Sequence, residues 1–358
     1  MKRILKLFIV LATVVAFSLS VSAAEADKYI DQLGDILPEQ ASGVTDPEAL
    51  VSSVSAGALL RELFAVLTDR RGEIFSFFLL LLGVCTLSSV ASFVPEGMRE
   101  MTECGVGLVS SALIVDRVIS VFSETLSSLS SLDEFFSAAA PIMASISLAG
   151  GGTGTAAVEV AGITLAVSFV GGVLCSALSV AVGFLLSMGM LSAFGDPGVC
   201  SLTTGAKNVF MWLVGISTVV IMGTFSLQSV VAAAADSAAM RSVKYAASGM
   251  IPIVGSTVSG ALSTLASGLS YAKSVVGAGA IAVIVGGAIS PLAVLLLYRL
   301  AFTVASRLCD AFSPTRGSAM LRGFSGALDA LIAVYSLSML VYIFELILLM
   351  KSGVALLG

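Results

Sequence analysis

The chain has 358 residues, of which 57% are hydrophobic and only 11% are charged, and its formal net charge is −5. Soluble domains carry about 25% charged residues, so this composition predicts an all-α integral membrane protein with most of its apolar surface in lipid. Basic residues are few and scattered, which argues against nucleic acid as a partner. The sequence has no histidine, and none of its five cysteines forms a C-x-x-C pair. We therefore expect no metal, no cofactor and no enzyme activity.

The first 24 residues have the pattern of a secretory signal peptide. Basic residues precede an apolar stretch that reaches Leu19, and small residues around Ala23 offer a cleavage site. An uncleaved first span is the alternative. Residues 25–71 form the most polar part of the chain, and we expect amphipathic helices there, outside the cytoplasm. This region is either a docking surface for a partner or a solvated lead-in to the first span.

About six membrane spans are expected after the signal peptide, in three parts: a helical hairpin over 72–131 and two repeat-like units over 132–235 and 236–358. The evidence for duplication is that residues 137–145 and 248–256 are similar in sequence, with Pro141 in one and Pro252 in the other. Each is followed by small residues, a long apolar helix containing Val-Gly-Gly, and a basic residue. Internal duplication of this kind builds many channels and transporters.

Small residues mark several positions where backbones would bend or approach closely. We expect Pro141 to interrupt its helix, and Gly150, Gly151 and Gly152 to form a flexible, re-entrant break near the membrane. The glycine run lacks a Walker lysine and a preceding strand, so it resembles a phosphate loop only superficially. Small residues also recur at every fourth position, in three stripes typical of close helix packing in lipid: Ser168, Gly172 and Ser176; Ser179, Gly183 and Ser187; and Ala278, Ala282, Gly286 and Ser290.

Eight ionisable residues lie in or near the predicted spans: Asp116, Arg117, Glu159, Arg299, Arg307, Asp310, Asp329 and Glu345. An ion-coupled transporter would use such groups. The alternative is that the arginines mark the cytoplasmic ends of spans, while Asp329 and Glu345 pair within the bundle. From spacing, we expect Arg307 to lie near Asp310, and Arg322 to share a helix face with Asp329.

The region from Lys207 to Leu308 carries a resemblance to a known family. Its core is A-S-G-M-I-P-I-V-G-S-T-V-S-G-A over 247–261, preceded by Arg-Ser-Val-Lys over 241–244 and followed by a Pro-Leu-to-Tyr-Arg run over 291–300. The sequence resembles the stage III sporulation protein AE family of endospore-forming bacteria, over most of its length.

The resemblance implies a non-catalytic, multi-pass protein of the mother-cell membrane that faces the engulfed forespore. It implies partners among the stage III sporulation proteins AA to AH, which include an ATPase and ring-forming proteins similar to secretion-system parts, together with a forespore-side partner. The complex would form a channel or feeding tube needed for late forespore sigma factor activity. The alternative function is a secondary permease that moves a small solute between two rocking halves.

Eleven residues are our candidates for structural or partner contacts, and a second copy of the chain is one open partner. We expect backbone breaks at the prolines and at Gly150 to Gly152 and Gly255, close helix contact through the third stripe, and polar docking through the two basic residues. The candidates are Pro141, Gly150, Gly151, Gly152, Arg241, Lys244, Pro252, Gly255, Ala278, Ala282 and Gly286.

Overall fold

The computed structural model describes residues 68, 70–91, 93–194, 197–250, 255–312 and 316–351, and these ranges contain helices and turns but no strand. The predicted signal peptide and almost all of the polar region 25–71 lie outside the described residues. The described part forms six helices: α1 Arg71–Ala91, α2 Glu96–Ala149, α3 Thr153–Leu191, α4 Pro197–Met250, α5 Gly255–Phe312 and α6 Arg316–Lys351. The expected all-α architecture with about six spans is confirmed.

Each of the six helices contains a stretch long and apolar enough to cross a membrane. The outer surface of the bundle is apolar as well: on α4, Trp212 is 65% exposed and both Val219 and Leu227 are 70% exposed. A large apolar surface of this kind is unstable in water. The outward side chains of α4 therefore face lipid or another protein.

Helix α6 is the centre of the bundle and contacts each of the other five helices. Its aromatic residues Phe324, Tyr335 and Tyr342 are fully buried. A helix that is apolar on every side is expected to be surrounded by other helices, and the sequence of α6 has this character. Packing against α6 therefore fixes the relative positions of the other helices.

The bundle has two distinguishable ends. At one of them, Ser88 near the end of α1, Gly107 in α2, Ala193 after α3 and Gly317 in α6 line one small pocket. We call this the Gly317 end. At the opposite end, three residues join α2 directly to α3, and Gly151 there has a left-handed backbone with φ of 78°. We call this the Gly151 end.

One proline position differs from expectation. Helix α2 is continuous over 54 residues and contains Pro141, so the expected interruption at Pro141 is wrong. Helix α5 likewise continues through Pro291 over 58 residues. At 1.5 Å per residue α2 is about 80 Å long, more than twice the thickness of a bilayer core of about 30 Å. A proline is tolerated inside a membrane helix where other groups or a local adjustment of the backbone compensate for the lost hydrogen bond. The expected boundary at residue 131 consequently falls inside α2.

Helix α3 contains a π-helical segment, Ser168–Leu174, between two α-helical segments. This segment includes the first Val-Gly-Gly sequence, whereas the second, over 285–287, lies in regular α-helix. An added Cβ on Gly171 would lie 2.6 Å from Oδ2 of Asp133 in α2. The absence of a side chain at Gly171 therefore allows α2 and α3 to approach.

Candidate functional site: two ion clusters and a capped helix

The first cluster joins three helices around Asp329 of α6, and we call it the Asp329 cluster. Lys207 Nζ of α4 donates to Asp329 Oδ2 at 3.0 Å, and Arg299 Nε of α5 donates to Oδ1. Arg299 also donates from Nη1 to Thr303 Oγ1 at 2.7 Å. Two cations thus share one carboxylate, whose side chain is only 9% exposed. The cluster connects α4, α5 and α6 by charge as well as by packing.

The expectation that Asp329 pairs within the bundle is confirmed. Lys207 reaches Asp329 beside Gly326: the Cδ atom of Lys207 lies 3.4 Å from the place that a Cβ on Gly326 would occupy. Arg322 of α6 donates to Asp310 of α5 at 2.8 Å. Arg307 is exposed on α5, and its expected proximity to Asp310 stays a prediction.

The second cluster lies near the Gly151 end and consists of Ser147, Glu159, Lys273 and Glu345, one residue from each of α2, α3, α5 and α6. We call it the Glu345 cluster. Lys273 Nζ donates to Glu159 Oε1 and, at 3.0 Å, to Ser147 Oγ. Ser147 Oγ donates in turn to Glu159 Oε2 at 2.7 Å. The Glu159 and Lys273 side chains are each only 2% exposed, so this ion pair is removed from solvent.

Glu345 completes the cluster without a matching partner. Its Oε1 packs against Gly162, which lies one helical turn after Glu159, and an added Cβ at Gly162 would collide with it. Its Oε2 is buried and has no hydrogen-bond partner among the residues that the structure describes. The expectation that Glu345 pairs within the bundle is therefore not met there.

The two clusters lie at opposite ends of an apolar part of α6. No charged residue occurs between Asp329 and Glu345. The separation along the helix is about 24 Å at 1.5 Å per residue, slightly less than a bilayer core of about 30 Å. The clusters are therefore expected near the two edges of the membrane, with only apolar and hydroxyl side chains of α6 between them.

The beginning of α3 is capped by a carboxylate from another helix. Asp236 of α4 accepts from the backbone N–H of Gly154 at 3.0 Å and from that of Thr155 at 2.6 Å. Asp236 Oδ2 lies 3.1 Å from where a Cβ on Gly152 would be, so the glycine allows this approach. A helix N-terminus binds anions through these N–H groups. Because Asp236 occupies that position, no phosphate can bind there.

The candidates Gly150, Gly151 and Gly152 form the turn between α2 and α3, and the expected re-entrant segment is reduced to these three residues. Arg241 and Lys244 lie in α4 and Gly255 begins α5, but their side-chain environments and all of Pro252 are outside the described part. Pro141 is exposed on α2.

The third stripe lies on a partly exposed face of α5. Ala278, Ala282 and Gly286 are each half-buried. A Cβ added to Gly286 would meet no atom within 4 Å. Close helix contact through Gly286 therefore stays a prediction, since none of the described helices approaches it.

The first two stripes lie together on the outer face of α3. All six of their members are exposed, and added Cβ atoms on Gly172 and Gly183 would meet nothing described within 4 Å. We call this exposed set the α3 stripe: Ser168, Gly172, Ser176, Ser179, Gly183 and Ser187. The close contact inside the bundle is made elsewhere on α3, where a Cβ on Gly323 of α6 would lie 2.8 Å from Gly189 Cα. Sequence spacing did not indicate Gly189, because its neighbours at helical spacing include large residues.

The described residues contain no group of three His, Cys, Asp or Glu side chains that could hold a metal ion.

Six apolar helices, with paired charges inside and apolar side chains outside, define a multi-pass membrane protein. The sequence model described as stage III sporulation protein AE matches residues 51–353, and the chain belongs to that family. No curated protein and no solved structure matches the chain. Membership of the stage III sporulation protein AE family indicates a role in sporulation alongside other sporulation proteins. It also suggests a role other than catalysis.

Proposed function

We propose that the chain is a non-catalytic integral membrane component of the channel complex that joins the mother cell to the forespore. The observation that carries the proposal is family membership over residues 51–353. The protein would lie in the mother-cell membrane around the forespore and act with stage III sporulation proteins AA to AH and a forespore-side partner. The complex would be required for sporulation and for late forespore sigma factor activity.

The α3 stripe supports a role in assembly. Helices associate in lipid where small side chains let backbones approach, and among the described residues the stripe faces outward with open space at Gly172 and Gly183. Two of its serine hydroxyls donate to carbonyls of their own helix, Ser179 to Cys175 and Ser187 to Gly183, both at 2.8 Å. A partner helix can therefore pack on the stripe without breaking these two hydrogen bonds. The partner would be another stage III protein or a second copy of this chain.

The orientation of the bundle suggests where soluble partner domains would bind. The arginines of α5 and α6, with Lys207, lie toward the Gly317 end, and basic residues favour the cytoplasmic side. The Gly151 end would then face the space between the two membranes. The end of α4 and the beginning of α5 lie at this end. We propose that Arg241, Lys244, Pro252 and Gly255, which in sequence lie at or beside the α4–α5 connection, contribute to docking.

Purification of the tagged protein from sporulating cells tests the proposal. The wild-type chain should bring other stage III sporulation proteins with it. Gly183→Leu should reduce their recovery roughly tenfold, equivalent to about 1.4 kcal/mol, because the leucine blocks backbone approach. Gly223→Leu is the matched control, since Gly223 is exposed on α4 and a Cβ there also meets nothing within 4 Å. Recovery of no sporulation protein with the wild-type chain would overturn the proposal.

The alternative, a secondary permease, is not favoured by the family. It would need an essential charged group in the bundle, and Asp329, which is buried and contacts two cations, is the candidate. Asp116 is an unsuitable candidate because it is exposed on the surface of α2. If Asp329→Asn abolished sporulation while the protein and its complex remained intact, the permease would be preferred.

A further inference from the structure

Among the described residues, the Glu345 cluster has an unbalanced charge. It contains two carboxylates and one ammonium group, and the ammonium of Lys273 is bonded to Glu159 and Ser147. Glu345 is 4% exposed and interacts electrostatically with Glu159, a group of the same charge. An ionised carboxylate that is buried without a cation or a hydrogen bond is strongly unfavourable. One further positive charge would remove this cost.

Two other carboxylates near the Gly151 end of α6 make hydrogen bonds elsewhere. Asp236 of α4 caps the N-terminus of α3 through two backbone N–H groups. Asp133 of α2 accepts a hydrogen bond from Tyr342, one turn before Glu345. Among the described residues, the charged groups that face Glu345 are therefore Glu159 from α3 and Lys273 from α5, and α2 contributes the Ser147 hydroxyl.

A second unsatisfied atom lies on the same face of α3. Thr155 is one turn before Glu159, is 1% exposed, and its Oγ1 has no hydrogen-bond partner in the described part of the chain. The unsatisfied oxygens of Thr155 and Glu345 thus lie on opposite sides of Glu159 along the bundle axis. The unsatisfied Oε2 of Glu345 is the one inside the cluster, and it indicates that the cluster is incomplete without a further hydrogen-bonding species.

The geometry favours a proton over a metal cation. Metal cations such as Na⁺ need several oxygen ligands around a space of their own size. Glu345 Oε1 instead packs directly on the backbone of α3 at Gly162. A proton needs one oxygen lone pair and no cavity. We propose that the Glu345 cluster is a proton-binding site that holds one proton on the Glu345 carboxyl, while Lys273 and Ser147 hold Glu159 ionised beside it.

In this reaction one O–H bond forms at Glu345 and the proton comes from water at the Gly151 end. The bound state contains one carboxylate, one ammonium and one neutral carboxylic acid, so the buried cluster carries no net charge. The protonated Glu345 is also a hydrogen-bond donor, which an ionised Glu345 is not. This inference is independent of the proposed function, because it concerns a site inside a single chain.

Infrared spectroscopy of the full-length protein in lipid nanodiscs tests the site directly. At neutral pH the wild-type protein should show the C=O stretch of a protonated carboxyl group, with a shift on transfer to D₂O. Glu345→Gln should remove the band, and Asp310→Asn, at a partly exposed ion pair, should leave it unchanged. Lys273→Met should increase the band area about twofold, because Glu159 without its ammonium partner would also take up a proton.

A measurement without substitution guards against variants that fail to fold. Labelling the glutamate side-chain carboxyls of the wild-type protein with ¹³C should shift the whole band, whereas ¹³C labelling of aspartate should leave it in place. Absence of the band at neutral pH would overturn the proposal. So would its persistence in folded Glu345→Gln protein, or its loss on addition of Na⁺ in place of choline, since a metal cation would then be the occupant.

Discussion

Replacement of Asp329 by asparagine should destabilise the bundle. Among the ion pairs toward the Gly317 end, this substitution should cost more than any other single change. The substitution keeps the size of the side chain but leaves both Lys207 and Arg299 without their shared carboxylate. Removing one partner from a buried ion pair costs about 3–5 kcal/mol. The two cations are 27% and 25% exposed, so each can regain some contact with water. We therefore expect a loss of about 2–4 kcal/mol.

Two further variants turn this expectation into an ordered series. Lys207→Met removes one cation but leaves Asp329 bonded to Arg299, so it should cost less than Asp329→Asn. Asp310→Asn breaks a pair whose side chains are 60% and 32% exposed, and such pairs contribute about 1 kcal/mol or less. Unfolding of the purified proteins by heat or by a denaturing detergent, in one lipid–detergent mixture, gives the order.

The reasoning fails if Asp329→Asn is no less stable than Asp310→Asn. If Asp329→Asn and Lys207→Met lowered the stability by the same amount, Arg299 would contribute nothing to the Asp329 cluster. That result would also contradict the reasoning.

Two other changes have outcomes that follow from single contacts. Asp236→Ala should lower the free energy of unfolding by about 1–2 kcal/mol, because the N–H groups of Gly154 and Thr155 lose their acceptor. Proteolysis at the α2–α3 turn should become faster. Unchanged stability would argue against the cap. Gly323→Leu should prevent α3 and α6 from touching and leave little protein in the membrane by immunoblot, whereas Gly223→Leu should accumulate at the wild-type level.

Composition and length were sufficient to predict the spans, because a stretch of about twenty apolar residues has few alternatives to a membrane helix. They were not sufficient at Pro141. The sequence suggests a helix break there. The loss of the hydrogen bond that a proline cannot make is tolerated, however, when surrounding groups support the backbone. Whether that support exists depends on tertiary packing, which spacing along one segment does not reveal.

The ion clusters show the same limit. Asp329 was expected to pair in the bundle, yet its partners lie 122 and 30 residues away in sequence. Those pairings depend on the rotation of α4 and α5 about their axes. Glu159 and Lys273 were not recognised as a pair because 114 residues separate them. The small-residue spacing on α3 was visible in the sequence, but its position on the outside of the bundle was not.

Photo-cross-linking from the α3 stripe in sporulating cells tests the account most directly. A photoreactive amino acid at Ser176 should form a cross-link to another stage III sporulation protein or to a second copy of the chain. The same group at Val219, which is 70% exposed on α4, is the control for contact with lipid. If Ser176 gave no protein cross-link in cells that sporulate normally, the stripe would face only lipid and the assembly role assigned to it would be wrong.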